Sequence, residues 1–269
     1  MSEAAEDSGQ HQCHNRPMCY SDDAIPPFPP IRGGAPEGEQ LVLTSSDGTR
    51  FAAYGAHAES HNGVGLVILP DIRGLHPFYE ELALRFAETG LNAVAIDYFG
   101  RTAGSDTRDD SFEFRSHVEK TTPEQIALDA GAGVAWLKSP EGGGCTDVFS
   151  VGFCFGGSNS WNQGAANHGL AGCIGFYGQP QRTEQLLDRM KSPLLLLIAG
   201  ADFTPAEAYR KFEGELTRAG VEYETHTYEG APHSFFDRTF KEHTAACDDA
   251  WQRMLVFMSR HRTPAAASA

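Results

Sequence analysis

VFSVGFCFGGSNSW, residues 148–161, decides how the rest of the chain is read. Val148-Phe149-Ser150-Val151 is an apolar run of buried-strand character, and it stops at Gly152. Cys154 follows, with Gly152 two residues before it and Gly156 and Gly157 after it, and then a segment able to form a helix. G-x-C-x-G is one form of a sharp strand-to-helix turn. Such a turn lifts a reactive side chain above a sheet and sets it beside the N–H groups of a helix terminus. Glycines flank it because a Cβ would clash in so tight a bend. Taken alone, the stretch is also compatible with a buried cysteine in a glycine-rich turn, since free cysteines are commonly core residues. The flanking chain has to separate the two.

Outward from this turn, strands and helices alternate. Leu41–Thr44 and Arg50–Tyr54 are expected as a hairpin around Ser46-Asp47-Gly48-Thr49. Gly65–Leu69 is an unbroken apolar run, the mark of a strand covered on both faces, and Leu91–Ile96 is expected as the next buried strand. Between them, Phe78–Thr89 has helical periodicity and Gly90 as its stop. Residues 101–122 are polar and read as a surface excursion or small cap. Thr122-Pro123-Glu124-Gln125 then opens a helix running to about Lys138, with a capping residue, proline at the first position and Gln three after the cap. Beyond the turn, strands are expected at 171–177, 194–199 and 221–228, and helices near 183–190, 205–219 and 240–259. This pattern predicts a doubly wound, mostly parallel sheet flanked by helices in a single domain over 31–262. Residues 1–30 are expected as an extended N-terminal arm ending in a proline cluster, and 263–269 as a disordered tail. Gly152–Gly157 is not G-x-G-x-x-G, which disfavours a dinucleotide fold.

Composition narrows the function. The chain has 269 residues, enough for one sizeable core, and a net charge of −15, which argues against nucleic acid and anionic membranes as partners. No apolar stretch reaches membrane-spanning length. The first ten residues are acidic and polar, unlike a secretory signal, and the six cysteines are expected as reduced thiols in a cytoplasmic protein. His11, Cys13, His14 and Cys19 do not follow a metal-finger spacing, so no metal or other cofactor is expected.

In open α/β sheets, functional groups gather at the carboxyl ends of the strands. Gly200-Ala201-Asp202 follows one predicted strand, and Gly230-Ala231-Pro232-His233 follows the next. Asp202 could merely cap the helix near Pro205, and a lone loop histidine is commonly surface. Nucleophile, acid and histidine in that order, each at a strand end, is however the chain order of the α/β-hydrolases. Cys154, Asp202 and His233 are therefore the expected catalytic residues. A thiol needs a base to become thiolate near neutral pH, and an imidazole needs a carboxylate to fix its tautomer. Backbone N–H groups of Phe155 and of Ile72, in the loop after strand 65–69, are the expected oxyanion donors.

Five segments together resemble the dienelactone hydrolase family: Asp71-Ile72-Arg73-Gly74, Asp97-Tyr98-Phe99-Gly100-Arg101, Gly152–Gly157, Gly200-Ala201-Asp202 and Pro232-His233-Ser234-Phe235. The likeness covers about residues 38–260, and the cysteine nucleophile is its most telling mark. It implies an α/β-hydrolase fold and the opening of an enol-lactone ring through an acyl-thioester, as in catechol degradation. In that family a glutamate takes the thiol proton when substrate binds. The matching position here is Asp71, one methylene shorter, so either Asp71 or His233 could take the proton, and Asp71 could equally cap its loop. The family also holds the substrate carboxylate with two arginines. Arg101 matches one, whereas the second position is Asp237; Arg238 is adjacent to it, and Arg73 is a substitute. Arg101, Arg73 and Tyr98 are thus the expected substrate-binding residues. An anionic dienelactone and an uncharged ester or lactone both stay open as substrates, as does the oligomeric state. A binding-only or redox-sensing member of the same fold is the alternative, motivated by the changes at 71 and 237.

Overall fold

The apolar runs pair into one eight-stranded sheet. The computed structural model describes residues 24–30, 36–237 and 240–263. The strands are β1 (Glu37–Thr44), β2 (Arg50–His57), β3 (Val64–Leu69), β4 (Asn92–Ile96), β5 (Asp147–Phe153), β6 (Gly172–Phe176), β7 (Leu194–Ala201) and β8 (Tyr223–Pro232). They lie in the order β1-β2-β4-β3-β5-β6-β7-β8. The β1–β2 hairpin and the β2–β4 pair are antiparallel, and every other pairing is parallel. β3, β4 and β6 are buried along their whole length, as unbroken apolar runs require once helices cover both faces.

The helices are α1 (Pro77–Ala87), α2 (Gly100–Ala103), α3 (Arg115–Val118), α4 (Pro123–Lys138), α5 (Phe155–Gln163), α6 (Ala206–Ala219) and α7 (Thr244–His261). α4 begins at the expected capping box: Gln125 N–H donates to Thr122 Oγ1 (3.3 Å) and Thr122 N–H to Gln125 Oε1 (3.0 Å). α1 and α7 cover one face of the sheet through Phe78, Leu82, Phe86, Trp251 and Met254. α4, α5 and α6 cover the other through Ile126, Val134, Trp161, Phe212 and Leu216. Residues 24–30 run against α7 and α1: Trp251 Nε1 donates to Pro27 O (3.3 Å), and the Arg85 guanidinium lies over the Phe28 ring.

Two segments differ from expectation. The helix anticipated near 183–190 is a pair of 3-10 turns, Pro180–Arg182 and Glu184–Arg189. Thr183 sits between them at φ −116° and ψ −24°, with its hydroxyl donating to Asn162 Oδ1, and only Leu187 of the second turn is buried. β8 runs on to Pro232 across a register shift opposite Ala199 and Ala201, so His233 leaves a strand directly rather than a loop. Among the described residues no helix is long and apolar enough to cross a membrane, and no group of His, Cys, Asp and Glu could hold a metal.

The crowding at the end of β5 is severe. A Cβ on Gly152 would lie 1.9 Å from Gly156 O, and one on Gly156 would lie 2.0 Å from Leu69 O and 2.2 Å from Pro70 O. These neighbours are backbone atoms fixed by strand pairing and cannot yield as a side-chain tip would. Gly156→Ala is expected to cost about 3 kcal/mol, the upper end for overpacking, which lowers Tm by roughly 6–12 °C for a domain of this size. A thermal melt matching wild type would show that the backbone at Leu69 gives way.

Candidate active site

Cys154 stands between β5 and α5 with φ 56° and ψ −112°, a conformation that residues with a Cβ rarely adopt and that folds hold mainly at functional positions. Its N–H donates to Phe176 O (3.1 Å), which ties the turn to β6. The N–H of Gly157 returns to Cys154 O (3.0 Å) and opens α5. Cys154 is partly exposed, whereas Cys145, Cys173 and Cys247 are buried. Burial pushes those three thiols up to about 11, 12 and 12 respectively.

Asp202 follows the last residue of β7. Its buried Oδ2 accepts from His233 Nδ1 (2.8 Å), and Oδ1 accepts from Phe203 N–H (2.6 Å). The carboxylate thus assigns the imidazole proton to Nδ1 and leaves Nε2 as the basic edge. His233 is held from below by the residues after it. Phe235 and Phe236 are buried, and the Phe236 ring stacks on Phe153 of β5 (5.7 Å), so the histidine loop is anchored to the strand that carries the thiol. Tyr177 packs against the imidazole at 4.8 Å, and its hydroxyl donates to Asp237 Oδ2 (3.2 Å). Phe203 also lies against the ring, at 4.6 Å, and is 48% exposed. Of the four described non-glycine residues with positive φ, Cys154, Tyr177 and Ser234 all belong to this region.

Burial works against charge on His233, yet its hydrogen bonds to Asp202 and Cys154, with the charges of both, outweigh that and raise its pKa to about 10. The sulfur is therefore within electrostatic reach of the ring. Nε2 itself makes no hydrogen bond of regular geometry among the described residues. The contact is a loose one, as such bonds commonly are before substrate closes the site.

The loop after β3 packs on the elbow through the carbonyls of Leu69 and Pro70. Neither Ile72 N–H, in this loop, nor Phe155 N–H, at the first position of α5, donates to a backbone or side-chain acceptor among the described residues. The two segments that carry them are in direct contact, an arrangement suited to receiving one oxygen. Asp71 is buried, and its Oδ1 accepts from Arg73 N–H (2.9 Å), the loop-capping geometry. Tyr98 marks how close these groups lie: burial first, then the charges of Asp71, Asp97 and Cys154, push its phenol well above the ordinary range.

The three residues expected to hold substrate are otherwise engaged. Arg101 donates to both oxygens of Asp129 (2.9 and 2.7 Å) and to Asp47, because Asp129 is buried under the β1–β2 turn and needs a cation. Arg73 is buried and pairs with Asp110, which lies 3.6 Å from His76 Nε2 and so folds the 104–114 segment onto the loop after β3. Tyr98 is buried with its hydroxyl donating to Pro70 O (2.7 Å), and its ring meets Phe155 edge-on. Both its hydroxyl and its ring are thus engaged with the elbow and the loop after β3. Asp237, in place of an arginine, is buried beneath Tyr177. Arg238 and the arm residues His11, Cys13, His14 and Cys19 lie outside the described residues. The sequence carries no local signal for Tyr177 or Phe203 at this site. Their relation to Cys154 and His233 depends on β6 and β7 lying side by side, which no local motif encodes.

The chain's likeness to known proteins agrees with this geometry. The model of the dienelactone hydrolase family matches residues 51–262. A carboxymethylenebutenolidase of Rhodococcus opacus is 29% identical, over 93% of this chain and 100% of that one. Among solved structures, a dienelactone hydrolase-like promiscuous phosphotriesterase from metagenomic libraries superposes with a TM-score of 0.71 (24% identity, covering 84% of this chain and 99% of that one). Brefeldin A esterase, a bacterial homologue of human hormone-sensitive lipase, does so with 0.64 (14% identity, 86% and 79%). The fold is that of the α/β-hydrolases.

Two outcomes test this description. Because His233 titrates near 10 in the fold and near its ordinary 6.5 when unfolded, its contribution to stability is complete below about pH 6.5 and is lost as pH rises through about 10. Melts across that window should show wild type losing stability, with a shallower loss in Asp202→Asn; parallel slopes would count against the Asp202 contact as the cause. Arg101→Ala should cost about 2–3 kcal/mol by leaving Asp129 unpaired, somewhat under the figure for a fully buried pair because solvent reaches the Asp47 side. Arg101→Leu combined with Asp129→Leu should recover much of it, whereas a silent Arg101→Ala would show the pair to be idle.

Proposed function

Because the chain belongs to the dienelactone hydrolase family, and is thereby a hydrolase of carboxylic esters or lactones, we propose that Cys154, His233 and Asp202 form its catalytic triad and act through an acyl-thioester. The observation that carries this reading is the convergence of a thiol on a strained elbow, an imidazole within electrostatic reach of it, and a buried carboxylate 2.8 Å from the far side of that imidazole. A binding-only role would not need the elbow strain, the basic edge of His233 and two idle N–H groups in one place.

The steps follow from the groups present. His233 Nε2 accepts the Cys154 proton, and Asp202 stabilises the imidazolium that forms. Sγ attacks the substrate carbonyl carbon; the carbonyl π pair moves to oxygen, and that oxyanion is held by Ile72 and Phe155 N–H with the positive end of α5 behind it. Collapse breaks the acyl C–O bond, and the departing oxygen takes the proton back from His233. In a lactone this oxygen stays tethered to the acyl group, so ring opening leaves one chain bound as a thioester. Water then attacks the thioester with His233 as base, and Cys154 departs as the thiol. Asp71 lies in the same buried cluster and offers a second proton acceptor, while also fixing the loop that presents Ile72. An enol lactone of the kind that arises in catechol degradation fits this chemistry as the ring to be opened, and a cytoplasmic setting would keep Cys154 reduced.

The test uses an activated ester and a dienelactone with wild type, Cys154→Ala and His233→Ala. Cys154→Ala should lower kcat by about 10⁴-fold or more, as for loss of a triad nucleophile. Rapid quenching of wild type should show an acyl mass on the peptide containing Cys154, and iodoacetamide should label that peptide first. Full turnover by Cys154→Ala would rule the mechanism out.

A further inference from the structure

Tyr177 stands just past the end of β6, in contact with both halves of the site. Its N–H donates to Leu197 O of β7 (2.8 Å), and the carbonyl of the residue before it, Phe176, accepts the Cys154 N–H (3.1 Å). Its ring packs against the His233 imidazole, with centroids 4.8 Å apart, and meets Phe235 edge-on at 5.8 Å. Its hydroxyl donates to Oδ2 of Asp237 (3.2 Å), at the far end of the loop that His233 opens. Asp237 N–H in turn donates to Ser234 O (3.2 Å) and closes that loop on itself. One side chain therefore connects the strand end that ties down the elbow to the segment that carries the histidine.

The contact holds two unfavourable features in place. Tyr177 sits at φ 37°, where a bulky side chain is strained, and Ser234, across the contact, sits at φ 64°. Asp237 is 1% exposed, and a carboxylate removed from water is costly unless it is hydrogen-bonded. Apolar residues at both positions would fill the same interior with little or no loss of stability. The family resemblance puts a substrate-binding arginine at position 237; this chain has an acid there, and it holds a tyrosine of the protein itself. Reacting groups displaced by about 1 Å can lose on the order of a hundred-fold in rate, so a contact that constrains only the loop matters to turnover without touching substrate.

We propose that Tyr177 and Asp237 are a positioning pair: their hydrogen bond fixes the histidine loop against the end of β6 and so sets the distance and angle between His233 and Cys154. This role rests on the reading of Cys154 as nucleophile and His233 as base.

Tyr177→Phe removes the hydroxyl and keeps the ring and the charge. It should lower kcat on an activated ester by about ten-fold with KM within about two-fold, as expected when only the transition state is less well served. The second readout needs no turnover. The midpoint of the pH dependence of Cys154 alkylation by iodoacetamide should move up by about one pH unit, because an imidazole held less firmly favours the thiolate less. The groups in contact with the imidazole are Asp202, Cys154, Tyr177 and Phe203, and Tyr177→Phe alters the charge of none of them. Asp237→Asn removes the buried charge but keeps an acceptor, and should lose only about three-fold in kcat, a neutral bond being roughly half as strong as a charge-assisted one. An unchanged alkylation midpoint in Tyr177→Phe, a loss confined to KM, or an Asp237→Asn as impaired as Tyr177→Phe would overturn the proposal. Full turnover by Cys154→Ala would remove the nucleophile assignment, and the alkylation midpoint would still show whether the pair sets the geometry of thiol and imidazole. If Tyr177→Phe does not fold, Asp237→Leu is read on the same scale; if neither folds, the contact serves stability alone and the proposal falls.

Discussion

Backbone packed on backbone at the end of β5 sets the geometry of everything around it. Gly152, Gly156 and the carbonyls of Leu69 and Pro70 approach so closely that no side chain fits between them. The bend this produces leaves Cys154 at φ 56°, in a region a cysteine would leave if the surrounding strands allowed it. Because β5 is held between β3 and β6, they do not. The same contact brings the loop after β3 onto the first turn of α5, so that the two idle N–H groups and the thiol are positioned by one event of packing.

The charges around the thiol are arranged with similar economy. Asp202 orients His233, and the rings of Tyr177 and Phe203 pack against the imidazole. Most arginines of the surrounding loops serve as partners for buried carboxylates, which would be costly to leave alone. In an acidic protein with many such carboxylates, arginine is consumed structurally first, and what remains for a ligand is whatever lies beyond their reach.

Much of this was legible in the sequence. The apolar run at 65–69 and the largely apolar stretch at 91–96 fall within β3 and β4 apart from Leu91, and the Thr122–Gln125 box starts α4, because buried strands and helix caps are written in adjacent residues. The elbow and the Asp202–His233 pair could be placed because parallel sheets present strand ends on one edge, so chain order becomes spatial order. The roles of Arg101, Arg73 and Tyr98 could not. Arg101 meets Asp129 across a helix and a hairpin, Arg73 meets Asp110 through a polar excursion without periodicity, and Tyr98 turns inward to Pro70. Each is decided by a partner distant in the chain. The Tyr177–Asp237 contact was hidden for the same reason, since it joins residues 60 positions apart.

The order of the sheet has a consequence for how the protein reaches this state. β3 pairs with β5 in parallel, joining segments about eighty residues apart, and the strand ends that present Cys154, Asp202 and His233 come together only when β5 through β8 have assembled. Parallel pairings of this kind must close long loops before any contact compensates for the lost chain entropy, which makes them slow steps in folding. The elbow glycines add a further condition, since the strained turn has no local preference of its own to nucleate it. Competence to react is then a property of the completed sheet: a partly folded chain would carry six thiols of similar, ordinary reactivity, and the differentiation of the four described ones into one partly exposed and three suppressed would arise at the last stage of assembly.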